Sequence, residues 1–91
     1  MNTQTSPARR KLAAKVASQS TDTLLASLAS DSVENPETAE ALIVRVAICD
    51  ELDSRLTYAQ SAAFEALMDE ENWPTWQNAT AAAMYAHALA R

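Results

Sequence analysis

A single cysteine (Cys49), a single histidine (His87) and two runs of carboxylates are the side chains of this 91-residue sequence whose types suit chemistry. A cysteine–histidine pair needs the imidazole beside the thiol and a third group to orient it. No spacing in the chain brings Cys49 and His87 together, and Cys49 stands in an apolar stripe, where a cysteine usually serves as a small buried hydrophobe. The carboxylate runs are Asp50, Glu51 and Asp53, then Asp69, Glu70 and Glu71. A metal or general-acid site needs carboxylates that converge on one point. Adjacent helical residues instead diverge by about 100°, and no histidine lies near either run. The runs therefore read first as a solvated face and second as an interaction surface. With one cysteine there is no intramolecular disulfide and no cysteine-based zinc cluster. The expectation is a non-enzyme with no catalytic residue, no metal and no cofactor.

The sequence has no glycine. Phosphate-cradling loops, dinucleotide fingerprints and nucleophile elbows all need glycine for close backbone approach or positive φ. Tight hairpins favour it too. By contrast, 20 of the 44 apolar residues are alanine, the strongest helix former. An all-α fold follows. Only 24 apolar residues remain for a core, enough for one small core but not for a core and a deep pocket as well. A small-molecule substrate is therefore not expected. No apolar run is long enough for a membrane span, and Lys15 interrupts the run after Arg9, Arg10 and Lys11, so no secretory signal is expected. A cytoplasmic protein is the default reading.

The net charge of −5 divides unevenly: residues 1–20 carry +4, from Arg9, Arg10, Lys11 and Lys15, and residues 21–91 carry −9. This suggests a partly flexible basic arm on an acidic helical domain. The arm has three readings: a solvated helix, a segment that docks on an acidic partner or a second copy of the chain, or a contact to nucleic-acid phosphates. Nucleic acid is not favoured, because four cations are few and the acidic body repels phosphates.

The elements that position these residues follow from caps and periodicity. Ser6-Pro7 opens a helix over residues 7–19, with Leu12 and Val16 on one side. Thr21 or Asp22 caps a short helix to about Ser30 that buries Leu24, Leu25 and Leu28. Asp31 to Asn35 reads as a loop. Asn35-Pro36-Glu37 is the clearest start signal and opens a helix to about Leu56, roughly 30 Å long. Leu42, Val46, Cys49, Leu52 and Leu56 form its stripe, widened by Ile43, Ala47 and Ile48, and Glu51 and Arg55 form an i,i+4 pair. Thr57-x-x-Gln60 is a capping box opening a helix to about Glu70, which should fray early at its acidic end. Its buried face is Ala63, Phe64, Leu67 and Met68. Pro74 or Thr75 then opens a last helix to Leu89, with Trp76, Thr80, Ala83, His87 and Ala90 on one face. Trp76 reads as core, and Trp73 as either a cover residue or a binding anchor. Together these give a small bundle of three to four helices with an N-terminal basic helical arm.

The segment Asn35-Pro36-Glu37-Thr38-Ala39-Glu40-Ala41-Leu42-Ile43-Val44-Arg45, continuing to Asp50-Glu51-Leu52-Asp53-Ser54-Arg55-Leu56, is similar to small helical accessory proteins encoded by phages and plasmids. Those proteins often carry a capped helix ending in an acidic-Leu-x-x-Arg pattern. The resemblance implies a protein that binds and modulates a host or element-encoded macromolecule. The leading functional expectation is thus a regulator, adaptor or inhibitor of a protein partner, with homodimerisation as a further option. The residues expected to meet a partner are Arg9, Arg10, Lys11, Lys15, Asp50, Glu51, Asp53, Asp69, Glu70, Glu71 and Trp73. One alternative is an acidic DNA mimic that blocks a nucleic-acid-binding defence protein. The other is weak DNA or RNA binding through the basic arm.

Overall fold

The computed structural model describes residues 7–69 and 80–91. Every regular element among them is helical: α1 (Pro7–Ala17), α2 (Thr21–Ala29), α3 (Asp31–Glu34), α4 (Ala39–Arg55), α5 (Tyr58–Ala66) and α6 (Ala81–Leu89). No described helix is long and apolar enough to cross a membrane.

Hydroxyl side chains start four of these helices. Ser20, Thr38, Thr57 and Thr80 each sit in extended backbone and accept a hydrogen bond from the N–H three residues on. Each thereby satisfies one of the N–H groups that a helix start leaves unpaired. At Thr57 the full capping box forms. Gln60 N–H donates to Thr57 Oγ1 at 3.1 Å, and Thr57 N–H donates to Gln60 Oε1 at 2.9 Å. No described residue has positive φ, so these helices end without the left-handed cap that glycine usually supplies. The chain instead leaves α2 at Ser30 and α4 at Leu56 in extended conformation.

Several boundaries differ from the sequence expectation. Residues 31–34 form the short helix α3 rather than a loop. The start of α4 lies at Thr38, not at Asn35-Pro36. Pro36 holds Asn35 away from helical geometry, and the Asn35 N–H is used to close α3 on Asp31 O. Asn35 is thus an end signal, and Thr38 caps α4 through Ala41 N–H at 3.0 Å. Helix α2 is capped one residue early, by Ser20. Helix α5 ends at Ala66, short of Glu70. Leu67, Met68 and Asp69 close it with i→i−3 bonds, a tightening suited to an end that meets acidic residues. The extended Thr80 interrupts the single helix expected from Thr75 to Leu89. Ser6, Trp76 and the start signal at Pro74 and Thr75 lie outside the described residues.

The core joins α1, α2, α4 and α6 through Val16, Leu24, Leu28, Ile48, Leu52, Ala82 and Tyr85. Helix α2 packs on α4 and α6, α1 and α3 pack on α4, and α5 packs on α6. Phe64 of α5 stacks on Tyr85 with ring centroids 4.5 Å apart. The expected stripe on α4 is only half buried: Ile48 and Leu52 face the core, whereas Leu42 and Val46 are 51% and 50% exposed. Just past α5, Leu67 is buried but Met68 is exposed. On α6 the buried face is Ala82, Met84, Tyr85 and Ala88, and the expected set Ala83, His87 and Ala90 faces outward.

Two arginines tie helix ends together. Arg55 donates to the carbonyls of Val16, Ala17 and Gln19, at 3.4, 3.2 and 2.7 Å, and to Thr21 Oγ1 at 3.0 Å. It thereby fastens the last turn of α1 and the start of α2 to the end of α4. Arg45 donates to Val33 O and Glu34 O at 3.2 and 3.1 Å, closing α3 onto the same helix. Cations suit these positions, because a helix C-terminus carries partial negative charge.

Candidate interaction groove

Helix α1 lies along α4 with its C-terminal end at Arg55, so the two helices run in the same direction. Val16 seats it, being buried in the shared core, and Leu12 packs beside it. An open groove of about 530 Å³ remains between the two helices on the side away from α2. Its α1 wall is Arg9, Leu12, Ala13 and Val16. Its α4 wall is Leu42, Ile43, Val46, Ala47, Asp50, Glu51 and Ser54. Helical rotation explains why apolar residues stand here. Val46 lies about 160° round α4 from Ile48. Once Ile48 turns inward, Leu42 and Val46 stand half exposed in the wall of the groove.

Charge frames the groove. Arg9 stands at the end where α4 begins, and Asp50 stands two turns further along α4 from Leu42. Arg10, Lys11 and Lys15 are exposed around the rest of α1. Among the described residues none of these three makes an ion pair, whereas Arg55 and Glu51 pair at 2.9 Å. Four of the expected partner-contacting residues are thus on α1, and Arg9, Asp50 and Glu51 share the groove.

The other acidic residues have different surroundings. Glu51 is half-buried and held by Arg55. Asp53 accepts a 2.7 Å hydrogen bond from Tyr85 Oη. Asp69 is exposed just past α5. Glu70, Glu71 and Trp73 lie outside the described residues. Among the described residues, no group of three or more histidine, cysteine or acidic side chains is placed to hold a metal ion.

Cys49 and His87 are directed apart. Tyr85 reaches α4, with its hydroxyl 3.5 Å from Cys49 O. His87, two residues on and about 160° round α6, is exposed. Burial pushes the Cys49 thiol pKa up against the opposing pull of Arg45, the reverse of what an activated nucleophile requires. Burial, reinforced by the bond to Asp53, holds the Tyr85 hydroxyl protonated well above its ordinary range.

Sequence reasoning missed Arg45, the helix-end clamp that Arg55 makes beyond its pair with Glu51, and the Tyr85–Asp53 bond. A signal for the arginines was present. Arg45, Ile48, Leu52 and Arg55 are spaced three and four apart, so both cations share the helix face that carries the core. Nothing in spacing alone pairs Asp53 with a tyrosine 32 residues away. No protein-family profile matches the chain, and comparison with curated proteins and with solved structures yields no match.

Proposed function

We propose that this chain is a non-enzymatic interaction module of the cytoplasm, acting as a regulator, adaptor or inhibitor through the groove between α1 and α4. The observation that carries this reading is the half-exposed pair Leu42 and Val46 in the wall of a groove with charged rims. Leu42 and Val46 are one turn apart on one helix face, so they form a continuous half-exposed apolar strip. An apolar strip bounded by charge is the usual composition of a protein-binding surface. The likeness of residues 35–56 to accessory proteins of phages and plasmids points the same way. The reading as an acidic DNA mimic draws less support, since Glu51 is paired with Arg55 and Asp53 accepts a hydrogen bond from Tyr85.

The test compares the intact chain with the variant Leu42→Gln/Val46→Gln as immobilised bait in a lysate of the source cell. Both positions are half exposed, so the variant should keep its helical circular dichroism. The reading expects a protein retained by the intact chain and lost from the variant. An identical set of bound proteins on both baits overturns it.

A further inference from the structure

We infer that α1 is a detachable strap: residues 7–17 leave α4 as one unit while the helices after them stay folded, and their departure uncovers the side of α4 on which α1 lies. This motion of α1 stands whether or not the groove binds a partner.

The seat of α1 is narrow. Nine of its eleven residues are exposed, Leu12 is half-buried, and Val16 alone is buried. The groove of about 530 Å³ opens on one flank of α1. A second hollow of about 300 Å³ opens on the other, between Ala8 on α1 and Glu40 and Val44 on α4. Arg9, Leu12 and Ile43 line both hollows, so the two helices meet there along a thin seam. Val16 enters the core at the far end, one residue before the helix closes. Arg9 and Arg10 stand in the first turn, where cations oppose the helix dipole. An isolated helix of this length is marginal in water. Once α1 leaves its seat it therefore loses its helix, and its main-chain hydrogen bonds open together.

The joint between α1 and α2 survives the departure. Ser20 caps α2 through Thr23 N–H at 3.1 Å, so the start of α2 takes its cap from its own side of the joint. Arg55 grips both sides, and its grips differ. On α1 it donates to Val16 O and Ala17 O at 3.4 and 3.2 Å. Beyond α1 it donates to Gln19 O and Thr21 Oγ1 at 2.7 and 3.0 Å. Release breaks the two longer bonds. The two shorter ones, together with Glu51 at 2.9 Å, keep the guanidinium paired, so no half-buried charge is stranded to oppose the opening. On α4 the departure uncovers Ile43 and Ala47 beside the half-exposed Leu42 and Val46. The strap thus covers part of an apolar track along α4.

The experiment is native-state amide hydrogen exchange on the intact chain, followed residue by residue by nuclear magnetic resonance. The amides of Lys11 to Ala17 are expected to share one protection factor, at least about tenfold below those of the core amides of Leu28, Leu52 and Tyr85. Two variants identify the opening. Thr80→Ala removes the cap of α6, where Ala83 N–H donates at 3.1 Å. That cap is intact before and after release, so the variant should lower core protection about fivefold and leave the α1 amides unchanged. Val16→Ala weakens the contact that release breaks. It should lower protection about fivefold or more at all of Lys11 to Ala17 together.

Three results overturn the inference. Protection in α1 equal to that of the core means that α1 opens only when the whole chain unfolds. A Thr80→Ala variant that lowers protection in α1 as much as in the core means the same. A Val16→Ala variant that affects only the amides next to position 16 means that α1 frays residue by residue and is not released as a unit.

Discussion

At the scale of single residues, two arginines hold helix ends together. Arg55 is the fullest example. Its guanidinium reaches three main-chain carbonyls at the end of α1, a threonine hydroxyl at the start of α2 and Glu51 on its own helix. Hydrogen bonds from a charged donor contribute about 1.5–3 kcal/mol each, whereas an exposed i,i+4 ion pair contributes about 0.3–0.5 kcal/mol. Arg55→Gln should therefore lower stability in urea unfolding by about 3 kcal/mol, and Glu51→Gln by less than about 1 kcal/mol. Equal losses would mean that the ion pair, not the helix-end clamp, is the main contribution. Tyr85 gives a second expectation, in pH. Its hydroxyl ionises later in the folded chain than in the unfolded chain. The folded state thus keeps a proton that the unfolded state loses above about pH 10. The stabilisation is fully present below that pH and falls as pH rises through it. Cys49, shifted in the same direction, adds to the fall. Tyr85→Phe should flatten the alkaline decline measured by urea midpoints, at the expense of about 1 kcal/mol at pH 7 from the lost bond to Asp53.

At the scale of elements, local chemistry that the sequence displays in one place was legible, and choices made by packing were not. The Thr57–Gln60 box needs only four consecutive residues, and it forms as read. The Glu51–Arg55 pair needs only helical spacing, and it too is present. Two start signals compete before α4. Asn35-Pro36 has the better composition, but the intervening helix α3 takes Asn35 for its own end. Thr38 is left to cap α4. Thr38→Ala should then cost about 1 kcal/mol in thermal or urea unfolding. Asn35→Ala should cost well under half of that, since its exposed side chain makes one long bond, 3.4 Å, to Asp31. The reverse order would return the start of α4 to Asn35. The stripe on α4 was misjudged for a related reason. Leu42, Val46, Cys49, Leu52 and Leu56 and the alternative set Val44, Ile48 and Leu52 both have helical spacing, and their sum gives a wide apolar face. Neighbours decide which edge is covered. In the rotation adopted, Arg45 and Arg55 reach α3 and the end of α1, Ile48 and Leu52 are buried, and Leu42 and Val46 turn outward. The groove is therefore a consequence of which neighbours pack on α4, a choice that periodicity alone does not contain.

At the scale of the whole molecule, α1 joins the two charge territories of the sequence, and two forces could hold it on α4. One is attraction between the +4 of residues 1–20 and the −9 of residues 21–91. The other is packing, through buried Val16, half-buried Leu12 and the Arg55 clamp. The two can be separated. Replacing Arg9, Arg10, Lys11 and Lys15 by glutamine removes the charge and leaves the apolar contacts. All four side chains are exposed, where screened ion pairs contribute little. Arg9 and Arg10 also oppose the helix dipole at the start of α1, so their loss is partly compensated. The glutamine variant should stay within about 1 kcal/mol of the intact chain. Removing residues 1–17 leaves a hole over Leu24, Leu28 and Leu52 and strands the Arg55 guanidinium without its α1 carbonyls. Deleting a buried aliphatic side chain alone costs about 2–5 kcal/mol, against the 5–15 kcal/mol that is usual for a whole domain. The truncated chain should lose several kcal/mol and unfold over a broader range of urea. It also retains the full −9 without a basic counterpart, so added salt should recover more stability for it than for the intact chain. If instead the glutamine variant is as unstable as the truncation, charge rather than packing holds α1 in place. The groove would then open and close with ionic strength.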